Sequence, residues 1–278
     1  MNRQMRATLR PMQTITLVRA GTPRSICLLA LAVTLCAAGF TQAQEEPQAQ
    51  EKRPTLAEAK AAFAKADRAL NQAWSLAKTA IAEGRAPAEL TQNQRDWLQF
   101  RDSRAGGESE QAGEKDPKRS GTWYSVATEL TASRAEWLRG RARTVAPEET
   151  LTGVWIDSYG GTLSVVQQQG RLLFTCEVVR GPTYHTGEIS GIASWNQSIG
   201  WFSDKGRDPE KTEESNLAFV DRDGCLEVIG ANTSHYHGAR AHFDGIYCKV
   251  APLEAKQQAE VIKAAESGGV SEQEAGGG

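Results

Sequence analysis

The sequence predicts an α+β protein in which an antiparallel three-helix unit precedes a separate, all-antiparallel β-domain. Apolar residues recur at helical spacing before residue 146, whereas after Pro147 they alternate and are interrupted by turn residues about every ten positions. The chain is 24% charged with a formal net charge of -2, which is ordinary globular composition. This balance has no basic excess of the kind that indicates a nucleic-acid partner.

An export signal is predicted at residues 1–43. Arginines precede an apolar run at 26–40, which ends at the small-x-small sequence Thr41-Gln42-Ala43. A retained membrane anchor is the alternative, but this run of 15 residues is shorter than the roughly 20 that span a bilayer. We therefore expect cleavage after Ala43, a periplasmic or secreted mature protein, and no stable membrane insertion after cleavage.

The first helix is expected to begin just after a disordered linker at residues 44–53, which has no apolar period. Thr55 and Glu58 have the spacing of a capping box, in which each side chain satisfies a backbone N–H group at a helix start. Gly84 and Pro87 are expected to end this helix. Its apolar stripe consists of Phe63, Leu70, Trp74, Ala77 and Ile81.

Two further helices, at about 88–104 and 122–143, complete a helical domain at 54–145. Between them, the Gly-Gly pair, charged residues and proline of 105–120 predict a solvated loop. Tryptophans on the apolar stripes are expected to form most of the core. They are Trp74, Trp97, Trp123 and Trp137.

The β-domain is expected at residues 150–250, with about eight short strands. No break between the strands has room for a helical crossover, so sequence neighbours should pair antiparallel. This pattern favours a small up-and-down barrel or a compact sandwich. The predicted strands are 153–158, 162–167, 172–179, 186–193, 199–203, 216–221, 225–230 and 240–250.

The remaining segments are a charged break at 204–215, which predicts a mobile loop, and a C-terminal region at 251–278. An Ala, Gln and Lys-rich stretch at 253–267 can form a short amphipathic helix. The Gly and Glu-rich remainder predicts a disordered tail.

Three cysteines remain after signal cleavage: Cys176, Cys225 and Cys248. Export favours disulfides, and three cysteines allow three single pairings with one thiol left over. We predict the pair Cys225–Cys248, because both lie on the last strands of an antiparallel meander. Cys176 is then the free thiol.

Three stretches of the predicted helices carry a family pattern. They read Ala66-Asp67-x-x-Leu70-Asn71-x-x-Trp74, then Gln94-x-x-Trp97-Leu98-x-Phe100-Arg101-Asp102, and finally Leu130-Thr131-x-x-Arg134-x-x-x-Leu138. In these residues the helical domain resembles the N-terminal domain of the LprI family, exported bacterial proteins named for a mycobacterial lysozyme inhibitor. The resemblance implies a protein partner in the cell envelope, with lysozyme as the named case.

This chain differs from the family in its cysteines. Family members usually carry cysteines that staple these helices, whereas residues 54–145 contain none. The tryptophans and their neighbours must then supply the burial. The β-domain is similar in outline to the C-terminal domains of some exported relatives, through Trp155, Tyr159 and the stretch 237–247.

No catalytic constellation is found in the sequence. Cys176 lies in a run of alternating inward residues, and no serine has the Gly-x-Ser-x-Gly setting that exposes a nucleophile. His235 and His237 would share one face of a strand, which is the spacing of a metal pair, but a closed zinc site needs four ligands. We therefore predict neither enzyme activity nor a cofactor nor a metal.

A binding or inhibitory function is thus the first hypothesis, with contacts made by aromatic, His and Arg residues at strand ends. The candidate partner-binding residues are Tyr184, His185, Tyr236, His237 and Arg240. The alternative for these five is that they are ordinary residues of the barrel rim.

A small-ligand carrier or an enzyme built on the barrel is the second hypothesis, and a structural envelope protein is the third. A carrier needs a hollow barrel, whereas the predicted inward residues are bulky enough to fill a small one. They are Leu163, Val165, Leu172, Phe174, Val178, Leu217, Phe219, Leu226 and Val228.

Overall fold

Three long helices form the N-terminal part: α1 (Leu56–Ala80), α2 (Ala86–Gln111) and α3 (Gly121–Arg141). The computed structural model describes residues 53–81, 86–144, 146, 149–180, 185–205, 213–222 and 224–268. The predicted signal peptide, most of the predicted linker and the predicted disordered tail lie outside these described residues.

Helix α1 begins at the predicted capping box. The Thr55 hydroxyl accepts a hydrogen bond from the Glu58 amide at 3.3 Å, and the Glu58 carboxylate accepts one from the Thr55 amide at 2.7 Å. The helix packs mainly against α3. It does so through a buried stripe that is richer in alanine than predicted, since Phe63 is only half-buried. The buried residues of α1 are Ala59, Ala66, Leu70, Ala73 and Ala77.

Helix α2 is longer than the sequence predicted, and the expected loop at 105–120 is wrong for its first seven residues. Gly106 and Gly107 lie inside the helix. Tertiary packing offsets the cost of these glycines, because Ala105 and Ser109 are fully buried. The Ser109 hydroxyl donates to the Ala105 carbonyl at 2.9 Å and accepts from the Ser120 hydroxyl at 2.9 Å. Ser120 in turn caps α3 by accepting from the Trp123 amide.

Eight strands form a closed barrel in which each strand pairs antiparallel with the next, and the last pairs with the first. The predicted α+β fold with a small up-and-down barrel is therefore confirmed. The strands are β1 (Gly153–Ile156), β2 (Thr162–Gln168), β3 (Arg171–Arg180), β4 (His185–Trp195), β5 (Ile199–Ser203), β6 (Asn216–Arg222), β7 (Cys225–Ala231) and β8 (Gly245–Ala251).

The barrel interior is filled by its own side chains. All nine residues predicted to point inward are buried in one hydrophobic cluster. Trp155, Phe202, Phe243 and Tyr247 add four more rings to that cluster. The packed interior leaves the surface of the protein as the place for partner recognition.

Strand β8 begins at Gly245 and not at the predicted Arg240. Asn232 ends β7 in the left-handed region with φ 57°, and a short 3-10 helix at Thr233–Tyr236 follows. The chain then crosses the barrel end, where Ala241 and Phe243 point inward and are buried. Because buried and exposed residues alternate in 240–244, this segment resembles a strand in the sequence. The segment between β7 and β8 pairs with the sheet at an isolated bridge between His237 and Gly187.

The C-terminal helix predicted at 253–267 is present as α4 (Ala255–Ser267). It covers the outer wall of β2, β3 and β4, where Val261 and Ala265 pack against Val166 and Leu173. The Ser190 hydroxyl donates to the Ala264 carbonyl at 3.1 Å, which fixes the helix on the barrel.

Helix α3 lies against the opposite part of the barrel wall. The Trp137 indole donates to the Ile246 carbonyl at 2.8 Å. Gly140 lies so close to β8 that an added Cβ atom would be 2.6 Å from the Cβ of Cys248. One hydrophobic cluster accordingly contains helical residues together with Ile156, Cys225 and Cys248 of the barrel. The described helices and the barrel belong to one compact unit.

The cysteines follow the pairing that was expected from their strands. Cys225 and Cys248 are opposite each other in the β7–β8 register and form a disulfide. Cys176 is a buried free thiol on β3. Burial raises the pKa of the Cys176 thiol to about 12, so it is protonated at neutral pH.

Candidate functional site

Two surface features lie at the end of the barrel where β1, β3, β5 and β7 finish. The first, which we call the rim loop, comprises residues 233–242. The second, which we call the junction cleft, is an open cavity of about 340 Å³ between the helices and the barrel. Residue types in the sequence predict the rim loop as a contact surface, whereas no local pattern indicates the junction cleft.

The rim loop is held in place by hydrogen bonds at several points. The Tyr236 hydroxyl donates to the Asp204 carboxylate at 2.9 Å, and the Gly238 amide donates to the Thr186 carbonyl at 2.9 Å. Thr233 and the His237 Nε2 atom are 3.1 Å apart, and the His237 ring packs edge-on against Phe243. These contacts give an exposed loop a fixed conformation.

Four of the five predicted partner-binding residues lie on the rim loop or at the adjoining start of β4. His185 opens β4, and its ring lies close to Gly238 of the rim loop. Tyr236 lines an open depression of about 330 Å³ beside Thr186 and Glu188. His237 is half-buried, whereas Arg240 is exposed in a turn. Tyr184 lies outside the described residues.

His235 and His237 do not have the shared strand face that a metal pair would need. His235 is exposed on the 3-10 helix, whereas the ring of His237 is fixed by Thr233 and Phe243, so the two rings do not share a strand face. Within the described ranges, no group of three His, Cys, Asp or Glu side chains is placed to hold a metal ion.

The junction cleft is built by four segments that are far apart in the sequence. Its lining comes from the start of α2, the last turn of α3, the β1–β2 turn and the start of β8. Glu89 and Asn93 share one face of α2, as do Trp137 and Arg141 on α3, because residues four apart are neighbours on a helix. The full lining is Glu89, Leu90, Asn93, Trp137, Arg141, Asp157, Ser158, Tyr159, Asp244, Gly245 and Ile246.

The β1–β2 turn is organised by Asp157, whose carboxylate is almost fully buried. It accepts hydrogen bonds from the Tyr159 amide at 2.9 Å and the Gly161 amide at 2.6 Å, and it forms an ion pair with Arg180. Burial by itself would lower the pKa of Arg180, but the Asp157 carboxylate raises it above its ordinary value. The pair closes this end of the barrel and fixes Tyr159 at the cleft.

A second buried arginine stands behind the helical wall of the cleft. Arg134 is 1% exposed, lies 4.3 Å from the centroid of the Trp137 ring, and donates to the side-chain oxygens of Asn93 and Gln94. Burial lowers the pKa of its guanidinium to about 9. Its Nη1 atom has no hydrogen-bond partner among the described residues. Because Asn93 accepts from Arg134 with its oxygen, its NH₂ group remains to donate elsewhere.

These features define the class of protein as a helical unit packed on a closed, filled barrel, with an exposed rim loop and an open cleft at one barrel end. Residues 43–146 match the family model described as "Lysozyme inhibitor LprI". The match covers the helical unit and ends before β1. The predicted resemblance to this family is therefore confirmed for the helical part.

Comparisons with curated proteins and with solved structures gave no significant match. No helix within the described ranges is both long and apolar enough to cross a membrane.

Proposed function

We propose that this protein is exported and acts in the cell envelope by binding a protein partner, with lysozyme as the partner and inhibition as the result. The match of residues 43–146 to the lysozyme inhibitor family supports this proposal most directly. The sequence pattern of residues 1–43 supplies the export route. The rigid, exposed rim loop supports a binding role, because recognition residues are commonly held on loops of a rigid scaffold.

The rim loop carries groups suited to the substrate cleft of lysozyme. That cleft contains two carboxyl groups that act on the glycosidic bond. An arginine can donate two parallel hydrogen bonds to a carboxylate, which makes Arg240 the residue we expect to enter the cleft. His235 and His242 are also exposed and flank it on the same loop.

The test is a titration of the mature protein against chicken-type lysozyme with bacterial cell walls as substrate. We expect inhibition at micromolar concentrations. Arg240→Ala should raise the inhibitory concentration about tenfold, because a central interface residue contributes more than ~1 kcal/mol. Arg222→Ala is the matched control, since Arg222 is an exposed arginine at the opposite end of the barrel, where it pairs with Glu227.

The outcomes separate two parts of the proposal. Absence of inhibition by the wild-type protein at micromolar excess would rule out lysozyme as the partner. Undiminished inhibition by Arg240→Ala would instead show that the contact is not made by the rim loop, and the helical unit would be the surface to test next.

A further inference from the structure

The junction cleft has the form of a binding site that the proposed function does not use. Its volume of about 340 Å³ is in the range of small-ligand pockets. It also lies where a helical unit meets a barrel, and such junctions are common places for ligand sites. The lysozyme-binding proposal places its contacts on the rim loop, so the cleft is a separate surface.

The walls of the cleft are held in one arrangement before any ligand arrives. The Trp137 indole is fixed to the Ile246 carbonyl at 2.8 Å. Asn93 is fixed by Arg134 at 2.8 Å, and Tyr159 is fixed through its amide to Asp157. The Tyr159 ring is further held by an edge-on contact with Phe100 at a centroid distance of 5.1 Å. A preformed site of this kind avoids much of the ordering cost of binding.

The cleft carries charges of both signs. Arg141 in the lining and the buried Arg134 and Arg180 behind it carry three positive charges. Asp157, Glu89 and Asp244 in the lining carry three negative charges, and Asp96 on α2 adds a fourth that acts on Tyr159. A site with charges of both signs favours neither a polyanion nor a polycation, because each would meet like charges in the wall.

The polar groups of the lining suit hydroxyl groups of a ligand. Glu89 and Asp244 offer carboxylate oxygens that accept from a hydroxyl, while the Asn93 NH₂ group donates to one. Ser158 and Tyr159 can do either. Leu90, Ile246 and the Tyr159 ring supply apolar area for the C–H face of a sugar ring.

From this combination we infer that the junction cleft binds a neutral, polyhydroxylated ligand, that is, a short oligosaccharide. The ligand places a sugar ring against Tyr159, while its hydroxyl groups bond to Glu89 and Asn93, which lie one turn apart on the same face of α2. The inference does not depend on lysozyme binding, since it concerns different residues of the protein alone.

Isothermal titration of the mature protein with three neutral tetrasaccharides tests the inference: a β-1,4-linked N-acetylglucosamine tetramer, cellotetraose and maltotetraose. We expect at least one of them to bind, with Kd of about 0.1–1 mM. Citrate and spermidine serve as charged probes and should bind at least tenfold more weakly. Binding of only a charged probe, or of no tetrasaccharide at 10 mM, would overturn the inference.

Variants locate the binding in the cleft. Tyr159→Phe keeps the ring and removes one hydroxyl, and Glu89→Gln removes a carboxylate; each should weaken binding about fivefold, the equivalent of one hydrogen bond. Tyr124→Phe on α3 and Glu110→Gln at the far end of α2 are the matched controls. Equal binding by the cleft variants and the wild type, with thermal stability unchanged, would show that the sugar binds elsewhere. Lysozyme inhibition by the same variants should be unaltered.

Discussion

The pKa of a buried side chain in this protein depends on its neighbours as much as on its residue type. Arg134 and Arg180 are both buried arginines, yet Arg180 has the Asp157 carboxylate while Arg134 bonds to neutral amides and lies against tryptophan rings. The resulting pKa shifts have opposite directions. Their hydrogen-bonding and ion-pair partners lie far from them in the sequence: Asn93 and Gln94 for Arg134, and Asp157 for Arg180.

Cys176 should be inert in the folded protein. Burial raises the pKa of its thiol to about 12, which leaves about one molecule in 10⁴ as thiolate at pH 8, and the side chain is closed to reagents. Thiol labelling with Ellman's reagent should therefore detect no thiol in the native mature chain, one in guanidinium, and three after reduction. Rapid labelling of native protein, removed by Cys176→Ala, would contradict this placement.

Two tryptophans of α3 should respond differently to the same substitution. Trp137→Phe leaves the Ile246 carbonyl without its indole donor, whereas the buried Trp123 indole nitrogen has no partner among the described residues. Trp137→Phe should therefore cost ~1–2 kcal/mol more free energy of unfolding than Trp123→Phe, although both lose similar ring volume. Urea unfolding curves measure the difference. Equal losses would argue against the hydrogen bond between α3 and β8.

Whole elements are positioned by close contacts that local sequence patterns describe only in part. The capping box at Thr55 and the alternation of the strands are local signals, and they located α1 and most of the sheet. The extension of α2 through Gly106 and Gly107 is non-local, since it depends on packing around Ala105 and Ser109. From the sequence alone, the low helix propensity of glycine predicts a loop here, because the packing of Ala105 and Ser109 is visible only in the folded structure.

Gly140 should be the most sensitive glycine of the helical unit. A Cβ atom there would be 2.6 Å from the Cβ of Cys248, so Gly140→Ala should push α3 away from β8 and cost ~1–3 kcal/mol. Gly106→Ala is the matched control: nothing lies within 4 Å of the added atom, and helix propensity should stabilise the protein by ~0.5–1 kcal/mol. Thermal unfolding compares the two. An unchanged Tm for Gly140→Ala would mean that α3 lies farther from the barrel.

At the scale of the whole molecule, helices and barrel share one hydrophobic cluster, and the disulfide lies within it. The α3 side of the helical unit packs against β8, next to the β7–β8 disulfide, and α1 packs in turn on α3. Stability of the helical unit therefore depends on the barrel wall.

Unfolding should accordingly be a single transition that depends on the disulfide. The bond closes a loop with a sequence separation of 23 residues, so its reduction should cost ~3 kcal/mol and lower Tm by roughly 6–12 °C. In each condition, circular dichroism and tryptophan fluorescence should give one common midpoint, which is lower with reductant than without it. Separate midpoints for helical and sheet signals would contradict the shared cluster, and Cys176→Ala should leave the effect of reductant unchanged.

The sequence by itself determined the α+β class, the order of the strands, the residues that fill the barrel and the cap of α1. Each of these features depends on residues that are only a few positions apart in the chain. Tertiary structure alone decided that 89–93, 137–141, 157–159 and 244–246 meet in one cleft, and that the segment after β7 caps the barrel instead of starting a strand. Such convergence results from how helices pack on the barrel. Contacts between distant segments carry no periodic signal in the chain.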